Sequence, residues 1–227
     1  MIVVTGGSGF LGRYVLRALQ KKNWKFTAWV RSRRVLEDLD PNQIKQIDFA
    51  DPSAMQDALR GTSQILHLAG QINGPIEELR ESNLRLTHRL VQAAQQASVK
   101  RIIFVSSAAA HLRKGPYGQV KWDAEEVVRS SGIPYLIFRP ALIYGAGDTK
   151  NVATIEKLMR RLPFLPLLGG GEFLIQPVYV DDVVEALMNA LGSSFENLLF
   201  RWTKHPIYIK LFNFTTKMTA TVTCIKA

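Results

Sequence analysis

The stretch Ile2-Val3-Val4-Thr5-Gly6-Gly7-Ser8-Gly9-Phe10-Leu11-Gly12 decides the fold of this chain. A buried-strand run leads without a spacer into glycines at 6, 9 and 12. The spacing that follows predicts an apolar helix from Phe10 to about Lys22, with Leu11, Val15, Leu16 and Leu19 on one face. A helix N-terminus presents unpaired N–H groups and a partial positive charge, so a diphosphate can settle there if no side chain blocks its approach. Gly6, Gly9 and Gly12 allow the tight turn, the close approach of phosphates and the close helix–strand packing. Glycine spacing alone also serves ordinary tight turns. The strand–turn–helix setting is what marks a dinucleotide site.

Outward from this motif, short apolar runs alternate with helical patterns. Strands are expected at Phe26–Val30, Ile44–Phe49, Ile65–Leu68, Ile102–Val105 and Tyr135–Phe138. Helices are expected from about Glu77 to Ala97 and through Trp122–Arg129. Strands separated by helices of this length imply crossover connections, hence an α/β fold with a doubly wound parallel sheet of Rossmann type. Ligands bind such sheets outside the carboxyl ends of the strands. Asp51-Pro52 reads as an N-cap with proline at the first helical position, and Asp181 or Asp182 as the cap of a helix Val183–Leu191. Pro163–Gly171 reads as a loop on the substrate side. From about Ser193 the βα rhythm stops. Ile207–Phe214 is strand-like and Thr215–Thr223 is rich in Thr. The expected division is therefore 1–192, a nucleotide-binding domain with part of a substrate region, and 193–227, a basic tail.

At 227 residues and 47% hydrophobic, the chain can bury one full core. Its single cysteine, Cys224, excludes an intrachain disulfide and fits a reducing compartment. The first strand begins at Ile2, leaving no room for a signal peptide, and no apolar run reaches spanning length; the expected location is the cytoplasm. No metal site is expected. The net charge of +10 invites a nucleic-acid or membrane-surface reading. Its distribution argues otherwise. After Glu196 the chain carries Arg201, Lys204, Lys210, Lys217 and Lys226 and no acid, half of the excess. Much of the rest lies in Arg31, Arg33, Arg34 and the pair Arg160–Arg161, without alternating aromatics, so nucleic acid is not the expected partner.

An NAD-selective fold offers an Asp or Glu to the ribose about twenty residues past the glycine turn. Here the second strand ends Trp29-Val30-Arg31-Ser32-Arg33-Arg34, with no acid until Glu37. A guanidinium can grip a ribose phosphate that a carboxylate would repel, which favours NADP over NAD, with Arg31 leading and Arg33 or Arg34 in support. The plain alternative is a solvated basic loop. Tyr117 and Lys121 share one helix face, one turn apart, and a nearby ammonium lowers a phenol's pKa. Ser107, just past the fifth strand, can hold the same substrate oxygen. Taken alone, such spacing usually marks an exposed helix pair.

The combination is more specific. TGGSGFLG at Thr5–Gly12, HLAG at His67–Gly70, Asn83, VSSA at Val105–Ala108, YGQVK at Tyr117–Lys121 and RPALIYG at Arg139–Gly145 occur in order. Together they resemble the short-chain dehydrogenase/reductase superfamily, in its extended and atypical branches. Those branches include sugar-nucleotide epimerases and dehydratases and the nucleotide-binding accessory subunit of respiratory complex I. The resemblance covers about Ile2 to Leu191. It implies that Tyr117 is the general acid/base, that Lys121 binds the nicotinamide ribose and tunes the tyrosine, and that Ser107 positions the substrate oxygen. Asn83 matches a helix asparagine that supports the lysine through water, or merely fills a helix position. Thr5, Gly6, Gly7, Ser8, Gly9, Phe10, Leu11 and Gly12 would cradle the cofactor. Asp48 and Phe49 would meet its adenine, Leu68, Ala69 and Gly70 would pass along it, and Pro140, Ala141 and Leu142 would flank the nicotinamide.

Three departures accompany the resemblance. Only nine residues separate Ser107 from Tyr117, Leu86 stands where a glycine often follows the helix asparagine, and the residues past about Ser194 do not look like a substrate-binding region. The last implies a short or truncated C-terminal substrate region. The leading functional expectation is an NADP-dependent oxidoreductase, epimerase or dehydratase acting on a carbinol or carbonyl carbon of an unnamed small molecule. The alternatives are a non-catalytic NADPH-binding structural or redox-sensing protein and an RNA-associated relative of the fold. Homo-oligomer formation or membership of a larger complex stays open.

Overall fold

Ile2–Thr5 forms strand β1 with all four residues buried, as a run of β-branched side chains at the centre of a two-faced sheet requires. A computed structural model describes residues 1–32, 36, 39–113, 115–148, 177–202 and 222–226. Along them run α1 (Phe10–Lys21), β2 (Phe26–Val30), β3 (Ile44–Gln46), α2 (Pro52–Ala58) and β4 (Gln64–His67). Next come α3 (Ile76–Leu79), a π-helical turn (Arg80–Arg85), α4 (Leu86–Gln96), β5 (Arg101–Val105), α5 (Ala108–Leu112) and α6 (Gly115–Arg129). The remainder is β6 (Tyr135–Arg139), β7 (Leu142–Tyr144), β8 (Pro177–Tyr179), α7 (Val180–Gly192), β9 (Leu198–Trp202) and β10 (Val222–Lys226).

The main sheet has the order β10-β9-β6-β5-β4-β1-β2-β3. Every pairing from β9 to β3 is parallel, and β10 runs antiparallel on β9. The doubly wound parallel sheet is therefore present, and its strand order reverses between β1 and β4. That reversal opens a crevice at the carboxyl ends of the two strands. Successive residues of a strand face opposite sides, and each strand feeds two cores accordingly. Ile2, Val4, Ile103, Val105, Leu136 and Phe138 pack with α1 and α7 on one face. Val3, Ile102, Phe104, Tyr135 and Ile137 pack with α2, α4 and α6 on the other.

Asp51 caps α2, its Oδ1 accepting from the Ser53 and Ala54 amides at 2.8 and 3.1 Å, with Pro52 at the first position. Three expectations need correction. Asp181 and Asp182 do not cap α7, which starts at Val180 behind Tyr179; they lie in its first turn, where negative charge favours the helix dipole. The helix expected from Glu77 to Ala97 is broken by one π turn. The βα rhythm does not stop at Ser193, because Leu198–Trp202 pairs parallel with β6. The segments Pro163–Gly171 and Ile207–Phe214 lie outside the described residues. No helix among the described residues is long and apolar enough to cross a membrane.

Candidate functional site

Gly6 turns the chain out of β1 at φ +74°, in the left-handed region that disfavours side chains. A Cβ there would lie 2.5 Å from the Ala69 nitrogen, so bare backbone is what lets the turn press on the end of β4. At Gly12 a Cβ would lie 2.6 Å from the Gly7 Cα, and its absence lets α1 start against the turn. Gly9 occupies the N-cap of α1 without a side-chain cap, and the first turn holds no acid. The first helical bond runs from the Arg13 amide to the Gly9 carbonyl at 3.0 Å. The Phe10, Leu11 and Gly12 amides precede it and lack intrahelical acceptors. Gly7 and Ser8 complete the turn, Gly7 buried and Ser8 exposed.

The floor of the crevice is a buried hydrogen-bond chain. Thr5 Oγ1 meets His67 Nδ1 at 2.6 Å and His67 Nε2 meets Thr87 Oγ1 at 3.0 Å. The Thr87 hydroxyl donates to the Asn83 carbonyl at 2.5 Å, so it must accept from His67 Nε2–H. His67 Nδ1 then accepts from Thr5, whose oxygen also lies 3.4 Å from the Ala69 amide. Desolvation, aided by the nearby Lys121 charge, lowers the His67 pKa to about 3 and keeps the ring neutral.

Asn83 lies inside the π turn. Its Nδ2 donates to the Leu79 carbonyl four residues back and to the Gln71 carbonyl, both at 2.9 Å. A side-chain donor on the i−4 carbonyl displaces the regular helical bond, which accounts for the wider turn. Asn83 Oδ1 is buried without a partner. It and the Lys121 ammonium border the same space, 2.5 and 3.8 Å from where a Cβ on Gly70 would sit. Lys121 is 3% exposed, its Nζ donates to the Val105 carbonyl at 3.0 Å, and it lies 4.3 Å over the Phe104 ring. Desolvation brings its pKa down to about 7, with Glu125 opposing the fall.

The nine-residue interval between Ser107 and Tyr117 does not hold the two apart. Ser107 caps α5, accepting from the Ala109 amide at 3.2 Å, and its hydroxyl is near enough to Tyr117 to pull the phenol's pKa down. The expected drop in the tyrosine's pKa is absent. Burial raises it, and the neighbouring Ser107 hydroxyl offsets only part of the rise. The Lys121 ammonium donates to the Val105 carbonyl and is not among the groups that shift the phenol.

Pro140 is buried and Ala141 and Leu142 half-buried where β6 gives way to β7, beside the β5 end: the Ala108 amide donates to the Pro140 carbonyl at 2.9 Å. Leu68 and Ala69 are half-buried after β4 and Gly70 is exposed. Arg31 is exposed past β2; Arg33 and Arg34 lie outside the described residues. Asp48 is exposed past β3, its Oδ1 accepting from the Ala50 amide at 2.8 Å, and half-buried Phe49 tilts against Trp29 at 6.3 Å.

Two groups escaped the sequence reading. One is the Thr5–His67–Thr87 chain; Thr87, one turn after Asn83, was its only local signal. The other is Glu125, 0% exposed, which takes Arg139 Nε on Oε1 at 2.8 Å and Arg139 Nη2 on Oε2 at 2.6 Å. The Ser106 hydroxyl and Arg129 Nη2 complete its shell at 2.5 and 2.7 Å. Glu125 follows Lys121 by one turn, and Arg139 stands directly before Pro140. Among the described residues no His, Cys, Asp and Glu cluster suits a metal ion.

The unobstructed turn, the uncapped helix start and the orphaned Asn83 acceptor beside Lys121 fit an anionic dinucleotide with ribose hydroxyls. Strand order and crevice define a nucleotide-binding protein of the doubly wound class. More particularly, the chain belongs to the NAD dependent epimerase/dehydratase family, whose model matches residues 2–197. It is 30% identical to a ceramide reductase of Caulobacter vibrioides over 83% of this chain and 60% of that protein. It is 28% identical to the mitochondrial NADH dehydrogenase [ubiquinone] 1 alpha subcomplex subunit 9 of Arabidopsis thaliana, over 84% of this chain and 50% of that protein. The chain thus spans between half and two thirds of the length of these relatives. The solved structure of MoeE5 in complex with UDP-glucose and NAD superposes with a TM-score of 0.69 at 25% identity, covering 82% of this chain and 70% of MoeE5.

Proposed function

We propose that this chain binds NADP(H) in the β1–β4 crevice and acts as an oxidoreductase, epimerase or dehydratase on a carbinol or carbonyl carbon. The observation that carries this reading is the grouping of Ser107, Tyr117 and, one helical turn on, a buried Lys121 whose Nζ reaches the Val105 carbonyl at the carboxyl end of β5. A bound nicotinamide supplies or accepts the hydride. Tyr117 exchanges the proton with the substrate oxygen, and its raised pKa keeps it in the protonated form that a carbonyl reduction consumes. Ser107 holds that oxygen by a second hydrogen bond. Lys121 and Asn83 face the ribose from beneath Gly70, and the open end of α1 takes the diphosphate. Asp48 and Phe49 border the adenine, while Pro140, Ala141 and Leu142 wall the nicotinamide. The UDP-glucose and NAD held by MoeE5 make a nucleotide sugar one candidate substrate class.

Tyr117→Phe is expected to keep NADPH affinity by calorimetry and to lose turnover on a panel of carbonyl compounds and nucleotide sugars. Unchanged turnover would remove the proton-transfer role. NADP preference is assigned to Arg31, exposed at the end of β2. Arg31→Ala should weaken NADPH binding by about tenfold, the value of one hydrogen bond to a charged group, and leave NADH binding unchanged. Equal losses for both nucleotides would refute that assignment.

The likeness to a complex I subunit favours a second reading, an NADPH-binding protein without turnover. Tight NADPH binding with no rate enhancement on the same panel would select it.

A further inference from the structure

Two of the three anchors of the Glu125 carboxylate adjoin a group of the candidate site. Ser106 immediately precedes Ser107, Arg139 immediately precedes Pro140, and Glu125 lies one and two turns beyond Lys121 and Tyr117 on α6. The carboxylate takes four hydrogen bonds at 0% exposure, from the end of β5, the end of β6 and its own helix. The Arg113, Arg129 and Arg139 guanidinium groups lie 4.1, 5.2 and 5.3 Å from the centre of the Trp122 ring. A buried ion pair is a poor means of stabilising a core, since apolar residues of similar volume do as well or better. Its location is therefore informative.

We propose that Glu125 is the positioning residue of this site, a carboxylate that clamps the ends of β5 and β6 to α6 and provides the counter-charge for Lys121. The function proposed above is the reading on which this rests. The clamp sets Ser107 against Tyr117 and holds the 140–142 wall at a fixed distance from the lysine. The groups around Lys121 are Glu125 on α6, neutral His67 on β4, the Phe104 ring and Val105 carbonyl on β5, and Asn83 in the π turn. Glu125 carries the negative charge in that set, shared with the Arg129 and Arg139 guanidinium groups that hold it.

The test uses the full chain without nucleotide, labelled with 13C at lysine Cε and tyrosine Cζ, with Lys121 and Tyr117 assigned from Lys121→Arg and Tyr117→Phe. In Glu125→Gln the Lys121 titration midpoint should fall by about one unit, a tenfold loss of proton affinity, because its counter-charge is gone. An unmoved midpoint in a folded variant overturns the proposal. If Glu125→Gln does not fold, Glu125→Asp decides the matter, since it keeps the charge and shortens the reach. The Lys121 midpoint should then stay near wild type while the Tyr117 Cζ resonance shifts as Ser107 moves relative to it. A Tyr117 resonance unchanged in Glu125→Asp overturns the clamp. NADPH enters neither arm, so failure of the wild-type chain to bind NADPH would refute the proposed function without deciding the role of Glu125.

Discussion

His67 shows what one enclosed ring costs the protein in acid. Its pKa is about 3 in the folded chain and near 6.5 when exposed, because burial and the Lys121 charge both oppose protonation. A base with a depressed folded pKa contributes fully above its unfolded value, and that contribution drains away as pH falls towards the folded value. Stability should therefore decline from about pH 6.5 towards pH 3, by roughly 5 kcal/mol at most. Urea midpoints at pH 7 and about pH 4.5 would show it, and His67→Asn should flatten the difference. An equal drop in both proteins would place the acid sensitivity elsewhere. The glycines at 6 and 12 were legible in the sequence because their requirement is local, a turn and a close approach within a few residues. His67 was not, since its partners Thr5 and Thr87 stand 62 and 20 residues away. Nor was Glu125, whose Arg139 lies 14 positions on and across a strand.

At the scale of the element, hydrophobic periodicity located the strands and helices but not their irregularities. One π turn adds a single residue to a helix, too little to disturb the apolar stripe of Leu84, Leu90, Val91 and Ala94. Yet that turn is what aims Asn83 under Gly70. Likewise β9 is a five-residue run containing Arg201, and only its pairing with β6 distinguishes it from a tail. The end of α7 has its own device. Arg101 at the start of β5, 6% exposed, donates to the Ala190, Leu191, Ser193 and Phe195 carbonyls and to Gln64 Oε1. These carbonyls belong to the last turn of the helix and the chain leaving it, which have few helical donors. Arg101→Met fills the space but strands the acceptors, and should destabilise the fold by about 3 kcal/mol. A denaturation midpoint within error of wild type would exclude the clamp.

Taken whole, the molecule assembles its site from segments far apart in the chain: the turn after β1, the ends of β4 and β5, the π turn, and α6 with its clamp to β6. The doubly wound class could be read from the alternation of strands and helices; the position of the last parallel strand could not, because a strand is defined by its neighbour. In that neighbour relation lies a consequence for synthesis. All five residues of β6 are buried, and Leu136 meets Leu198 only after 62 further residues have been made. On the ribosome, an apolar strand paired with β5 on one edge and bare on the other must wait for its second companion, a standing invitation to pair with another nascent chain. A stop codon after residue 194 should therefore yield aggregates rather than a smaller soluble protein, and sedimentation of the translated product would tell the two apart.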